Sequence, residues 1–491
     1  MTLSRRERIC SKPRNKRMKT QTTHGLRLAV LSGLALTLAT GCQTYSTQNK
    51  KSSDLWQQGQ VKAAAAEFGL KAAKEKDSKD TVIWRLEEGA ALRADGQFKE
   101  SNTAFEAAEE KINKFDEGAK VKVGSEAVAL LSNQAQLPYE GYAYDKIMLN
   151  TYKALNYLHL GEPDKARVEF NRALQRQEEA VEINKARIEK AEAAAAKDEK
   201  GKEAADKARE NPKLQSQLDS SYAFLDKWQA EAIYKNPAAL YLHGLFFMAN
   251  ATGPADLELA KHSFDEVAAM SKENKFVQQD QETVKQALAG QNLPGITYVF
   301  FETGIAPMRD QIRIDLPLIL VGVNQVSYVG AAFPTLKVQD GHLSHLEVVA
   351  GEAKETTAQL ANMDAIIGRE FKDELPTIII KTMATTLAKA VKTYFSNKAA
   401  KEAGGTWGQL ASIVGNAVYD AGTNIADTRT WTTLPKEFQV CRIATPADRK
   451  LQLGDGQLKA EVTVEPGTIN LIHVKAINSH TPLIVTQVKL K

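Results

Sequence analysis

The chain has 491 residues, of which 43% are hydrophobic and 25% charged, and its formal net charge is +4. A single hydrophobic core stops growing at about 250–300 residues, so this length predicts at least two domains. The composition is typical of a globular protein and excludes a collagen-like chain, a wholly disordered chain and a polytopic membrane protein. Three cysteines are too few for a disulfide framework or a four-cysteine zinc site.

The first 41 residues have the pattern of a bacterial export signal. Nine basic residues precede or border an apolar run, which is shorter than the ~20 residues that a membrane-spanning helix needs. The run ends in Leu38-Ala39-Thr40-Gly41-Cys42, and this phrase resembles the lipobox of bacterial lipoproteins. The resemblance implies that residues 1–41 are a signal peptide and that Cys42 carries diacylglycerol; an unmodified, buried Cys42 is the alternative. Met18 is an alternative start, because the stretch from Met18 to Cys42 already has the usual length of such a signal.

The residues after the lipobox bear on location and partners. Gln43 rather than Asp follows Cys42, which by resemblance to lipoprotein sorting implies the outer membrane, facing the periplasm, with the inner membrane as the alternative. Removal of residues 1–41 takes away nine basic and one acidic residue, so the net charge changes from +4 to about −4 and nucleic acid is not expected as a partner. Residues 42–54 are polar and aperiodic, which predicts a flexible tether of roughly 18 Å.

A phrase that recurs between residues 55 and 292 predicts helical hairpins. It consists of a turn glycine, a small residue and an aromatic residue four positions later, and it resembles the second helix of a tetratricopeptide repeat, in which the small residue lets two helices approach. The copies comprise Gly59, Ala64, Phe68, Gly96, Ser101, Phe105, Gly161, Ala166, Phe170, Ala260 and Phe264. Because the spacing is irregular, we expect a decorated array of such hairpins over 55–175 and 236–292; a generic helical-hairpin bundle is the alternative.

Two stretches interrupt this array. Residues 176–235 are rich in Ala, Glu and Lys, which predicts a protruding, largely solvated helical hairpin, with a coiled-coil docking arm as the alternative. An apolar stripe in its second half is formed by Leu214, Leu218, Tyr222, Leu225 and Trp228. Residues 121–144 are predicted to be an irregular aromatic loop that serves packing or lines a ligand groove.

The C-terminal half has a different pattern, so the fold class is predicted to be multidomain α+β. Residues 293–350 are predicted to be rich in β-strand, 351–430 helical, and 431–491 a small antiparallel β module. Within the helical part, an apolar stripe from Phe371 to Tyr394 predicts a core-facing helix, with binding to a membrane surface or a partner as the alternative. Cys441 stands in an alternating apolar run, which predicts a buried strand thiol.

Asp427, Arg429 and Trp431 form the most distinctive polar and aromatic cluster of the sequence. We expect an Arg–Asp pair that pins a helix to the sheet, with Trp431 in the core; a binding pocket is the alternative. The phrases Tyr298–Pro307, Ala332–Pro334 and Asp427–Pro435 resemble a family of Gram-negative bacterial lipoproteins with N-terminal tetratricopeptide-like repeats. The resemblance covers most of the chain and implies no catalytic residue.

The sequence contains none of the GxGxxG, P-loop, HExxH and GxSxG motifs. His342 and His345 lack a third ligand at a recognisable spacing, so no metal and no cofactor is expected. We therefore expect a non-enzymatic scaffold, anchored to the membrane by its lipid, because helical arrays present extended concave surfaces to protein partners of the periplasm or envelope. The alternative is an enzyme that acts on peptidoglycan or lipid through carboxylates within 296–435.

Overall fold

The computed structural model describes residues 45–121, 134–195, 203, 206–228, 234–318, 327–402 and 425–491. The chain divides into two units, Met1–Gln43 and Thr44–Lys491, and all of the described residues belong to the second. The predicted signal peptide, Met18 and Cys42 lie outside the described residues. None of the described helices combines the length and the apolarity needed to cross a membrane.

The N-terminal region is helical, as the sequence predicted. Its helices are α1 Tyr45–Gln57, α2 Val61–Lys74, α3 Thr81–Ala94, α4 Phe98–Val121, α5 Ala143–His159, α6 Pro163–Ala195, α7 Pro212–Tyr222, α8 Pro237–Ala249, α9 Pro254–Met270 and α10 Lys275–Leu288, with 3₁₀ turns at Gln134–Gln136 and Ala223–Trp228. Side chains of Asn211, Asn236 and Asn274 accept hydrogen bonds from the first backbone N–H groups of α7, α8 and α10, the usual way in which a helix start is stabilised.

The recurring phrase marks the second helix of successive hairpins. Its four Phe residues and its four small residues are all 1% exposed or less. Gly59, Gly96 and Gly161 adopt φ values of +73°, +77° and +71° at the turns, a conformation that favours glycine. A Cβ atom at Gly89 would lie 2.5 Å from the Phe105 ring, so glycine is what lets α3 and α4 approach this closely.

The predicted flexible tether is wrong for residues 45–54, because they belong to helix α1. Tyr45, Asn49, Ser52 and Trp56 follow one another at helical spacing and are all buried. Two of these four side chains are polar, so the buried face carries no apolar periodicity in the sequence. Instead, the Tyr45 hydroxyl donates to Glu87 and the Asn49 amide donates to Thr432, both distant in the sequence.

The insertion at 176–235 protrudes less than predicted. Helix α6 continues from the third hairpin to Ala195, and Val181 on it is 53% exposed, which fits a solvated arm. The returning segment is packed: Leu214, Leu218, Tyr222 and Leu225 are buried, and the Tyr222 hydroxyl donates to the Pro334 carbonyl at 2.9 Å. The apolar stripe recognised in the sequence thus faces the C-terminal half.

The described residues of the C-terminal half form three sheets and one long helix. Its strands are β1 Ile296–Thr303, β2 Met308–Leu318, β3 Ser327–Lys337, β4 Glu347–Ala350, β5 Ala353–Thr356, β6 Ala358–Asn362, β7 Glu437–Ala444, β8 Lys450–Gly454, β9 Lys459–Thr463, β10 Ile469–Ala476 and β11 Ile484–Lys489, and its helix is α11 Met363–Glu402. The sheets have the orders β11-β10-β1-β7-β6, β2-β3 and β5-β4-β8-β9.

The predicted boundaries at 350 and 430 do not separate domains. The C-terminal strands do pair antiparallel, β10 with β11 and β8 with β9. However, β1 lies between β7 and β10, parallel to β10 and antiparallel to β7, so residues 431–491 are not a self-contained module. Strand β6 at the sheet edge comes from the stretch predicted to be helical. Strand pairing is non-local, and hydrophobic periodicity does not reveal it.

Candidate functional site

Residues 425–436 form a segment without helix or strand that is almost entirely buried; we call it the buried segment. Within it, Arg429 binds Asp427 through two hydrogen bonds, Nε to Oδ1 at 2.8 Å and Nη2 to Oδ2 at 2.6 Å. Its Nη1 donates to Asp80 Oδ1 at 2.9 Å and to the Leu137 carbonyl at 2.7 Å. Burial opposes ionisation of Asp427, but Arg429 holds its pKa below the ordinary value. The predicted Arg–Asp pair therefore exists, and it attaches the buried segment to the start of α3 rather than a helix to the sheet.

Glu87 on α3 receives the next part of the buried segment. Thr432 donates to Glu87 Oε1 from its backbone N–H and its hydroxyl, both at 2.6 Å. Thr433 donates to Oε2 in the same two ways, at 3.1 and 2.8 Å, and Tyr45 of α1 adds a fifth hydrogen bond. Burial raises the pKa of Glu87, and the hydrogen bonds from these donors act in the opposite direction.

Trp431 lies in the core, as predicted, at 1% exposure. Its ring contacts Phe105 of α4 and Tyr152 of α5 with centroid distances of 5.9 and 6.0 Å. The inner faces of α3 and α5 are therefore covered by the chain's own buried segment. These two helix faces are thus closed to a partner.

Glu302 on β1 forms a second buried site that connects the sheet with α5. Lys475 Nζ and His473 Nε2 lie 2.7 Å from its two carboxylate oxygens, and the Tyr152 hydroxyl donates to Oε2 at 3.1 Å. Burial opposes ionisation, but Lys475 and His473 hold the pKa of Glu302 well below its ordinary value. An acid inside the apolar run 296–303 was the sequence signal for this site, and our sequence analysis missed it.

Asp280 of α10 is a third buried carboxylate that the sequence analysis missed. Tyr241 and Tyr298 donate to it at 2.5 and 2.7 Å, and Arg442 Nη1 lies at 2.7 Å. These contacts join α8, α10 and the five-stranded sheet. In these sites the carboxylate is buried and both of its oxygens are hydrogen-bonded. Fully satisfied buried networks of this kind make a core rigid and specify its packing.

Compared with family models, curated proteins and solved structures, the chain gives no significant match. The described residues also contain no group of His, Cys, Asp and Glu side chains that could hold a metal ion. His342 lies 3.6 Å from Glu437, and His345 contacts Ser344. Cys441 is buried on β7, and burial raises its pKa to about 12, so its thiol is protonated at neutral pH.

An open groove of about 720 Å³ runs between α4 and α6, with α5 as its floor; we call it the α4–α6 groove. Seven acidic and four basic side chains line it. On the floor, Lys153 Nζ lies 2.6 Å from Glu109 and 3.0 Å from Glu169. Burial would raise the pKa of Glu109, but Lys153 and Asn150 lower it below the ordinary value. On the rim, Glu106, Glu110 and Glu117 are exposed, and Glu110 pairs with Lys114 at 2.5 Å.

Proposed function

We propose that this protein is a non-enzymatic adaptor of the bacterial envelope, lipidated at Cys42, which binds a protein partner in the α4–α6 groove. Its helical hairpins correspond in this proposal to tetratricopeptide-like repeats, and its place is the periplasmic face of the outer membrane. The proposal rests on the lipobox phrase, on the family resemblance of the sequence and on the groove itself.

The groove is the observation that carries the proposal. The buried segment fills the inner faces of α3 and α5, whereas the groove between the second helices of two hairpins is open and about 720 Å³ in volume. A groove lined by three more acidic than basic side chains attracts a basic segment of a partner and raises its association rate. A lipid anchor at the membrane raises the local concentration of protein and partner.

The alternative of an enzyme that acts on envelope polymers depends on carboxylates within 296–435. Two of these, Glu302 and Asp427, are buried and bound to Lys475 and Arg429 respectively. We therefore propose the adaptor alone.

Site-specific photocrosslinking in intact cells tests this function. A crosslinker at Glu110, on the rim, is expected to trap a specific protein, and Glu106→Lys in the same chain is expected to remove the adduct because it reverses one rim charge. The matched control is a crosslinker at Glu258, an exposed acid on α9 that does not line the groove. Equal adducts at Glu110 and Glu258, or an adduct at Glu110 that persists in Glu106→Lys, would contradict the proposal.

A further inference from the structure

The residue predicted to carry the lipid, Cys42, precedes the first described helix by three positions. Tyr45, the first residue of α1, is buried, and its ring lies 4.9 Å from that of Trp84 on α3. An extended chain spans at most about 3.6 Å per residue, so Cys42 lies within about 11 Å of Tyr45. A lipid at Cys42 therefore holds the start of α1 close to the membrane surface.

The start of α1 lies beside the end of α2. The two helices pack against each other and are joined by three residues, and Lys51 of α1 forms an ion pair with Glu67 of α2 at 2.6 Å. Six residues before Lys51 is Tyr45, and six residues after Glu67 is Ala73. In this antiparallel hairpin, the last turn of α2 is thus at the same end as the predicted lipid anchor.

Three lysines stand at this end of the hairpin. Lys71 and Lys74 are in the last turn of α2, and Lys76 follows the helix; we call the three residues the lysine patch. Lys74 and Lys76 are exposed and Lys71 is partly exposed. Within the described part of the chain, none of the three forms an ion pair, so their charges are available to a partner.

The acids of the same stretch leave the lysine patch positive. Asp77 lies 3.7 Å from Lys111 of α4, and Asp80 is bound to Lys79 at 2.8 Å. The remaining acid of the stretch is Glu75. Three lysines against one glutamate give an excess of two positive charges beside the start of α1.

We propose that this end of the first hairpin rests on the membrane and that the lysine patch binds the anionic headgroups of phospholipids. Each lysine near an anionic membrane surface strengthens binding by about fivefold. The attraction acts over about one Debye length, ~8 Å at physiological salt, so it depends on the short connection to the lipid. The inference rests on lipidation at Cys42, which belongs to the proposed function, and it does not involve the α4–α6 groove.

The test measures which end of α2 lies at the membrane. The lipidated, full-length mature protein is placed in vesicles of phosphatidylethanolamine and phosphatidylglycerol that contain a lipid with a nitroxide on its headgroup, which quenches a nearby fluorophore. The fluorophore is attached at Ala73→Cys or, as the matched control, at Ala63→Cys. Both alanines are exposed on α2 and are about 15 Å apart along its axis, and Cys441 is buried. We expect quenching to be several-fold stronger at position 73 than at position 63.

Charge variants separate the lysine contact from the short connection. The triple variant Lys71→Gln, Lys74→Gln and Lys76→Gln should lower the quenching at position 73 to the level found in vesicles of phosphatidylcholine and the nitroxide lipid. NaCl at about 1 M, where the Debye length is about 3 Å, should have the same effect on the wild type. Lys62→Gln, at an exposed lysine near the start of α2, is the control and should leave the quenching unchanged.

Flotation of the vesicles distinguishes the two ways in which the inference can fail. A protein that does not float with the vesicles lacks the lipid, which contradicts lipidation at Cys42 and this inference with it. A protein that floats but is quenched equally at positions 63 and 73, or at neither, keeps its lipid and overturns this inference alone. Quenching at position 73 that is as strong in the triple variant as in wild type would show that the lysine patch does not bind headgroups.

Discussion

Replacement of Glu87 by Gln tests how strongly the buried segment is held by the helical region. The carboxylate accepts five hydrogen bonds, three at Oε1 and two at Oε2. A glutamine can place its carbonyl oxygen at the Oε1 position, but its NH₂ group then faces the Thr433 N–H. That N–H is buried and left without an acceptor, which costs about 1–3 kcal/mol.

The remaining hydrogen bonds also weaken, since a bond to a charged acceptor contributes about 1.5–3 kcal/mol and a neutral one about 0.5–1.5 kcal/mol. We therefore expect Glu87→Gln to lower the free energy of unfolding by about 2–4 kcal/mol, measured by urea denaturation at neutral pH. The control is Glu88→Gln, next in sequence, which loses a partly exposed pair with Arg85 and should change stability by less than about 1 kcal/mol. Equal midpoints for both variants would refute this account of the Glu87 contacts.

Three further predictions concern other parts of the molecule. Burial raises the pKa of Asp145 from 3.8 to about 7, so between these pH values the folded state holds a proton that the unfolded state releases. The free energy of unfolding of the wild type, measured in urea, should therefore fall relative to that of Asp145→Asn by about 4 kcal/mol as the pH rises from 4 through 7. A difference between the two proteins that stays constant over this range would contradict the prediction. Gly89→Ala should lower the free energy of unfolding by about 1–3 kcal/mol, because the new Cβ atom meets the Phe105 ring. The control is Gly253→Ala, where the backbone is extended and the space around it is open. This variant should change the free energy of unfolding little in the same denaturation assay. Metabolic labelling with a radioactive fatty acid should mark the wild-type protein and not Cys42→Ala; unlabelled wild type would disprove lipidation.

Local patterns in the sequence predicted the helical hairpins well. The small residue and the Phe residue four positions later lie on one helix face, so their spacing in the sequence predicts that this face is buried. The turn glycines could be recognised for the same reason, since a positive φ is a local requirement. In the C-terminal half, the strand-rich character of residues 293–350 and the strand around Cys441 were also recognised from their residues.

What could not be predicted depends on residues far apart in the chain. Glu87 and Thr432 are 345 positions apart, and no periodicity connects them. A charged residue in the apolar stretch of α3 indicates that a partner exists, but not which one. The insertion of β1 between β7 and β10 is equally non-local, and Lys381 is buried because α11 is covered on several sides.

The hydrogen bond between Asn49 and Thr432 joins residues 383 positions apart, and Asn478 donates to the carbonyl of Gln57 at 2.7 Å. The first described helix is thus completed by residues that follow it by 383 and 421 positions. During translation Asn49 cannot donate to Thr432 until those residues have been made, and contacts of such long range slow folding. A chain truncated before residue 425 would expose Glu87 and the inner faces of α3 and α5, so we expect such nascent or shortened chains to need a chaperone or to be degraded.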